Sequence, residues 1–415
     1  MGQDVVVRDV RPPSATRAVL ADREFRALLV SDGLSVVGDQ IARIAVALLV
    51  LERSGSAFAA SATYACSYLT WLVGGPFLSA VADRFPRRRV MVVCDLLRMA
   101  LIAVLAVPDL PLWVVFSVLV LVGLLAPPFD AAKSALLAEL LPGERYVIGN
   151  ALTNAVQQAG QLLGFVGGGA LVLALQVEGA LLVDAVTFAA SALLLTTLVR
   201  ERSGHADAPV VGGRWSEAVA GFVLVAGEPR LRALLGWGLL SATAVIAPEG
   251  LAVAVAHEDG RGAFAAGVLT AAVPAGFLVG SWLVLRLPAD RRERLFPAMV
   301  ALSCLPLLAT AVVEDVVALT ALWAVAGVGN ALQLVANSSF VQAVPPHLRG
   351  RAFGVAATLL MAVQGVVLLG AGALAEATGP RPPVAAIALL SLALVPFLPR
   401  PAPTALGATA ALGPT

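Results

Sequence analysis

SAVADRFPRRRV, Ser79 to Val90, packs one Asp and four Arg into the seven residues 83–89, between two long apolar runs. In a chain that is 59% hydrophobic and only 13% charged, such a cluster marks a point where the polypeptide leaves an apolar environment and turns back. It reads as a hairpin between two membrane crossings.

The composition supports that reading along the whole chain. The 415 residues have a mean hydropathy of +0.89, whereas soluble domains carry roughly a quarter of their residues as charges. Apolar runs of 18 or more residues recur, each long enough to cross about 30 Å of hydrocarbon. Lipid cannot satisfy backbone polar groups, and uniform runs of this length specify helices rather than barrel strands. Breakers and turn residues predict twelve spans: 26–51, 57–82, 89–107, 111–133, 149–175, 179–199, 231–255, 262–286, 295–313, 316–341, 350–376 and 383–398. The fold class is all-α and polytopic.

Cationic residues orient the spans. Of 28 Lys and Arg, 23 fall on the N-terminal arm, the even-numbered loops, the central connection and the C-terminus, against three (Arg53, Arg261 and Arg381) on the opposite loops. That asymmetry predicts cytoplasmic termini. The longest interruption, Arg200 to Glu228, divides the chain six and six. The expected organisation is an arm (1–25), a first bundle (26–199), a linker (200–230), a second bundle (231–398) and a disordered Pro/Ala/Gly-rich tail (399–415). Within the linker, WSEAVAGFVLVAG predicts a short helix along the membrane surface. The halves echo each other: AKSALLAELLPGER (132–145) aligns with ANSSFVQAVPPHLR (336–349), each at the cytoplasmic exit of a fourth span. Repeated halves place a substrate site at their interface in many transporters.

The hairpin residues Ser79-Ala-Val81-Ala-Asp83-Arg84-Phe85-Pro86-Arg87-Arg88 resemble the loop signature of the major facilitator superfamily, Gly-x-Leu-Ala-Asp-Arg-x-Gly-Arg-Arg. Asp83, Arg84, Arg87 and Arg88 match; Ser79, Val81 and Pro86 depart. The resemblance implies two pseudo-symmetric six-helix bundles and a cytoplasmic latch built on Asp83, Arg84, Arg87 and Arg88, with Asp95, Arg98, Asp130 and Lys133 as supports. FRALLVSDGLSVVGDQIARIAVALLV, VCDLLRMALIAVL and LLVDAVTFAASALLL are similar to the branch of macrolide-type and siderophore (enterobactin-like) exporters. In span 5, Gly160, Gly164, Gly168 and Gly169 match the superfamily's antiporter signature, with Phe165 in place of its proline. Physically, the same glycines allow close helix approach. An Arg-containing signature of span 4 is absent from VLVLVGLLAPPFDAAKS.

Charges within the spans need a reason, since each costs about 2.5–3.5 kcal/mol at a helix centre. Asp32, Asp39 and Arg43 share one face of span 1, and Asp39 and Arg43 are spaced to pair. Glu249, between Pro248 and Gly250, has no cation within a turn of its own helix, which suits a carboxylate that loads and unloads a proton. Asn330, Gln333 and Asn337 form a polar stripe in span 10, as do Asn154, Gln157, Gln158 and Gln161 in span 5; each stripe either binds neighbouring helices or lines a cavity. The fold implied by the resemblance favours cavity lining for span 10. The expected substrate and proton pathway is thus Asp32, Asp39, Arg43, Glu249, Asn330, Gln333 and Asn337. Asp184 is assigned to packing.

These features predict secondary active transport: proton-coupled export of a small amphipathic molecule, with an uptake carrier or facilitator as the alternative. The sequence has no G-x-x-x-x-G-K-[ST] for ATP, no His in a span, and no framework spacing among Cys66, Cys94 and Cys304. Neither an enzyme, a metal site, a cofactor nor a nucleic-acid partner is expected. The expected partners are a small molecule, protons and the bilayer, for a monomer. One Lys beside 27 Arg points to a GC-rich bacterial genome and hence to the cytoplasmic membrane.

Overall fold

The computed structural model describes residues 12–78, 84–202, 214–345 and 348–399. The beginning of the N-terminal arm, Asp83, part of the linker, His347 and the tail from residue 400 lie outside the described residues.

The described residues are helical, joined by short turns. After a short α1 (Pro12–Ala21), α2 (Arg23–Ser54) starts where the Asp22 side chain accepts from Glu24 N (2.9 Å) and Phe25 N (3.0 Å), and stops at Gly55, whose φ of 65° an L side chain resists. At 1.5 Å per residue its 32 residues span about 48 Å, more than a bilayer core. Then come α3 (Ala57–Leu78), α4 (Arg87–Leu105), α5 (Leu112–Leu124), α6 (Ala126–Leu140) and α7 (Glu144–Leu198). The second half holds α8 (Arg214–Gly227), α9 (Pro229–Glu258), α10 (Gly262–Leu285), α11 (Ala289–Arg292), α12 (Phe296–Leu308), α13 (Val316–Asn330), α14 (Leu332–Ala343), α15 (Arg349–Thr378) and α16 (Arg381–Leu394).

Eight helical stretches of the described residues are long and apolar enough to cross a membrane. One of them, 145–198, contributes two crossings. Gln176 (φ 63°, ψ −179°) interrupts α7, and the packing shows that its arms run in opposite directions. Gly160, Gly164 and Gly168 meet Val36, Gln40 and Ile41 in ascending order, whereas Asp184 meets Gly38 and Ser191 meets Ser31 in descending order. With α3, α4 and α16, the described residues make twelve crossings. The fourth crossing of each half is broken mid-way, at Leu125 (α5/α6) and at Ala331 (α13/α14). Pro127 and Pro128, which donate no backbone N–H, sit in the first turn of α6. The short helix expected in the linker is present as α8; Gly221 lies against the Arg351 carbonyl of α15.

The halves meet most extensively at two contacts, α3 against α15 and the first arm of α7 against α10, with α9 also touching α2 and α3. Both contacts are tightest toward the membrane face opposite the termini, here called the far face. A Cβ on Gly169 would stand 2.5 Å from the Ala263 carbonyl oxygen and 3.1 Å from Phe264 Cα, so only glycine fits there. On the α3/α15 side, Ser61 Oγ donates to the Leu368 carbonyl at 2.8 Å. At the far-face end, the Glu376 carboxylate of α15 accepts from Phe58 N (2.9 Å) and from the Ser56 hydroxyl, while Ser56 Oγ accepts from Ala59 N at 3.0 Å. An acid that normally completes a helix cap from its own first turn is here supplied by the other bundle.

Candidate functional site

Arg43, of α2 in the first bundle, and Glu249, of α9 in the second, are 206 positions apart and meet at 3.5 Å. Arg43 lies 11 residues, about 16 Å, from the far-face end of α2, and Glu249 nine residues, about 13 Å, from that of α9. The pair is therefore near mid-membrane, beneath the far-face contacts. Tyr68 of α3 completes it: its hydroxyl is 3.3 Å from each Glu249 oxygen, and the Arg43 guanidinium carbon is 5.8 Å from its ring centroid. Both charged side chains remain about a quarter exposed (27% and 21%). An ion pair so placed joins two bodies in a way that a proton on the carboxylate would undo.

This geometry corrects one expectation. Asp39, one turn from Arg43, makes no ion pair with it within 4 Å among the described residues; Arg43 reaches across the bundle interface to Glu249 instead. Asp39 and Arg43 together line a cavity of about 90 Å³ inside the first bundle, with Thr63, Ser67, Trp71 and Arg98 among its walls. A larger cavity, about 670 Å³ beside α4 and α5, is lined almost wholly by apolar side chains. Its one charged lining residue, Arg89, is held by Glu201 at 2.6 Å. Polar recognition chemistry lies at the smaller one.

Among the other charged residues of the first bundle, Asp32, Asp95, Asp130, Lys133 and Asp184 are outside the lining of the smaller cavity, whereas Arg98 is part of it. Asp32 pairs with Lys133 at 2.7 Å, and Lys133 also holds Asp130 at 2.9 Å, forming a triad between α2 and α6. Asp95 accepts from Ser191 Oγ at 2.5 Å, and Ser191 is 2.6 Å from Ser31 Oγ, so α4, α7 and α2 share one buried hydroxyl–carboxylate chain. Asp184 is fully buried and accepts from Thr187 Oγ at 3.2 Å. Arg98 is 5% exposed, with its guanidinium carbon 5.2 Å from the Phe129 ring centroid and 5.6 Å from that of Phe188.

Arg87, Arg88 and Arg89 of the hairpin bind within the first bundle and the start of the linker. Arg87 pairs with Glu139, Arg88 donates to the Val199 carbonyl at 2.9 Å, and Arg89 pairs with Glu201. Arg84 is exposed, and Asp83 lies outside the described residues. In the second bundle, Asn330 Oδ1 accepts from Ser241 Oγ at 2.9 Å and Gln333 Nε2 donates to the Gly238 carbonyl at 3.1 Å, so both tie the tenth crossing to α9; Asn337 is exposed. Among the described residues no group of His, Cys, Asp or Glu is arranged to hold a metal ion, and the three cysteines are free. Sequence reasoning passed over Tyr68. The available signal was the i, i+4 pair Tyr64 and Tyr68 in span 2, two of only three tyrosines in the chain.

Comparison with known proteins fits this architecture. The chain is 29% identical over 385 residues to the multidrug efflux pump Tap of Mycolicibacterium fortuitum, covering 88% of this chain and 92% of Tap. It is 29% identical to the Tap pump of Mycobacterium tuberculosis over 375 residues, 86% and 88% of the two chains. A shorter match, 29% over 196 residues, is to the lysophospholipid transporter LplT of Serratia proteamaculans and covers 47% and 48%. Among solved structures, the nucleoside transporter NupG superposes with a TM-score of 0.73 at 14% identity, over 90% of this chain and 98% of that one. A POT family transporter superposes at 0.75 with 11% identity, over 90% and 95%. The profile of the Major Facilitator Superfamily matches residues 28–359, and the chain belongs to that superfamily as a multi-pass membrane transporter rather than an enzyme.

Proposed function

We propose that this transporter is a proton-coupled exporter of small amphipathic molecules, acting as a monomer in a bacterial cytoplasmic membrane with both termini in the cytoplasm. The observation that carries the reading is the Arg43–Glu249 ion pair, bridged by Tyr68, which joins the two bundles at mid-membrane. The arginine-rich faces support that orientation of the termini, in which the far face is external and the conformation is one closed to the outside. The similarity to Tap pumps supports export.

The cycle follows from the pair. With the outer side closed, an ionised Glu249 is neutralised by Arg43 and the bundles are held together around it. Opening to the outside separates the pair, and a proton from that side then occupies the carboxylate that Arg43 no longer neutralises. Return to the inward form lets Arg43 displace the proton toward the cytoplasm while substrate enters. One proton moving down about 150 mV supplies about 3.5 kcal/mol, a concentration ratio of about 300.

The test uses inverted vesicles, acidified inside and challenged with lipophilic antibiotics, dyes, a catecholate siderophore and a lysophospholipid. Substrate-triggered proton release that disappears in Glu249→Gln is the expected result. Substrate flux without proton release from any compound would overturn coupling and leave a facilitator. The match to LplT gives a second reading of the cargo, in which the lysophospholipid alone elicits the response.

A further inference from the structure

Arg98 is a buried cation that lies in the field of Asp39, Asp95 and Asp184 but has no acceptor within hydrogen-bond distance among the described residues. It is 5% exposed, its Nε has no hydrogen-bond partner, and among the described residues no hydrogen bond or ion pair reaches its guanidinium. Two aromatic rings, Phe129 and Phe188, stand beside it, their centroids 5.2 and 5.6 Å from the guanidinium carbon. The guanidinium N–H fork makes no hydrogen bond within the described residues, and such a fork matches carboxylate and phosphate oxygens. N–H groups left unpaired on a buried guanidinium are costly, and an acceptor brought into the cavity would relieve that cost. Arg98 lines the 90 Å³ cavity, which has room for several water molecules and hence for an oxyanion group. Thr63 and Ser67 add hydroxyls to the wall, and Arg43 stands at the same cavity. Asp39 is the one carboxylate among the lining residues, and it competes for the same cations. Trp71, Ile102, Leu119 and Val122 make the remaining surface apolar.

The geometry points to this cavity as the seat of an anionic oxyacid group, a carboxylate or a phosphate, carried on an amphipathic substrate and held by Arg98, with the apolar part of the molecule along Trp71 and Leu119. This rests on the export reading above and narrows its cargo. Arg98 thereby leaves the group of latch supports and becomes a substrate ligand, with Asp39 the internal competitor that the incoming anion must displace.

The test is equilibrium binding to the full chain in nanodiscs, with empty discs subtracted, using three probes that share a lauroyl chain. These are 1-lauroyl lysophosphatidate, N-lauroylglycine and uncharged monolaurin. The wild type is expected to bind at least one anionic probe about 10-fold or more tighter than monolaurin, and the two anionic probes separate a phosphate site from a carboxylate site. Arg98→Gln should reduce anion affinity about 10- to 100-fold, the scale of hydrogen bonds to charged groups, and leave monolaurin unchanged. Asp39→Asn should tighten anion binding several-fold, which keeps the inference testable should Arg98→Gln fail to fold. Equal affinity for all three probes, a uniform loss in Arg98→Gln, or no gain in Asp39→Asn would overturn it. Proton-coupled export of uncharged compounds without anion preference refutes this inference alone; anion preference without proton release refutes the coupling alone.

Discussion

Glu376→Ala is expected to loosen the closed outer side by a measurable amount. In the structure this carboxylate accepts from Phe58 N and the Ser56 hydroxyl, so the second bundle caps the first turn of α3 in the first. Losing a side-chain cap costs about 0.5–2 kcal/mol, and the exposure of this site places the effect near the middle, about 1 kcal/mol. Because the contact joins two bundles, its loss falls on the equilibrium between closed and open outer states rather than on folding. About 1 kcal/mol shifts that equilibrium about fivefold. Spin labels at Asp109 and Glu314, on far-face turns of opposite bundles, in a background with the three cysteines replaced, would report the two states as a short and a long distance. The long-distance fraction should rise about fivefold in Glu376→Ala, and less in Glu376→Gln, which keeps an acceptor oxygen. Unchanged distributions in Glu376→Ala would show that the cap does not hold the outer gate.

Other substitutions probe separate parts of the account. Gly169→Val puts side-chain atoms where the Ala263 carbonyl stands, so the same spin-label pair should report a loss of the closed outer state. Lys133→Met strips Asp32 and Asp130 of their cation; it should destabilise by about 3–5 kcal/mol, visible as a lower melting temperature, and adding Asp32→Asn should recover much of that. Tyr68→Phe removes the hydroxyl that donates to Glu249; it should slow pH-driven efflux about 10-fold, on the scale of a hydrogen bond to a charged group, while leaving the protein as stable as wild type.

The crossings were legible because apolar length and turn residues are local properties. The predicted break at 176–178 between spans 5 and 6 falls where Gln176 leaves helical geometry, and the linker helix coincides with α8. The small residues of span 5 were legible as contact points, since Gly164 lies on Val37 and Gln40 of α2. Pairing was not legible, because helical spacing names which groups share a face but not what faces them. Asp39 and Arg43 fit an i, i+4 pair, yet Arg43 turns to a residue in the other bundle. Glu249 has no cation within a turn of it on its own helix and gains one by packing. Asp32 reads as part of the central pathway, whereas Lys133 draws it into a triad. Asn330 and Gln333 form a stripe either way, and only the position of α9 shows where their amides go.

The most direct test of the central claim is to compare exchange with uphill transport by Glu249→Gln in proteoliposomes. Exchange of labelled for unlabelled substrate needs only alternating access, whereas accumulation against a gradient needs a carboxylate that carries the proton. With the first active compound from the vesicle panel, Glu249→Gln should retain exchange and lose pH-driven accumulation. Uphill transport that persists in Glu249→Gln would contradict the assignment of the proton to the carboxylate facing Arg43.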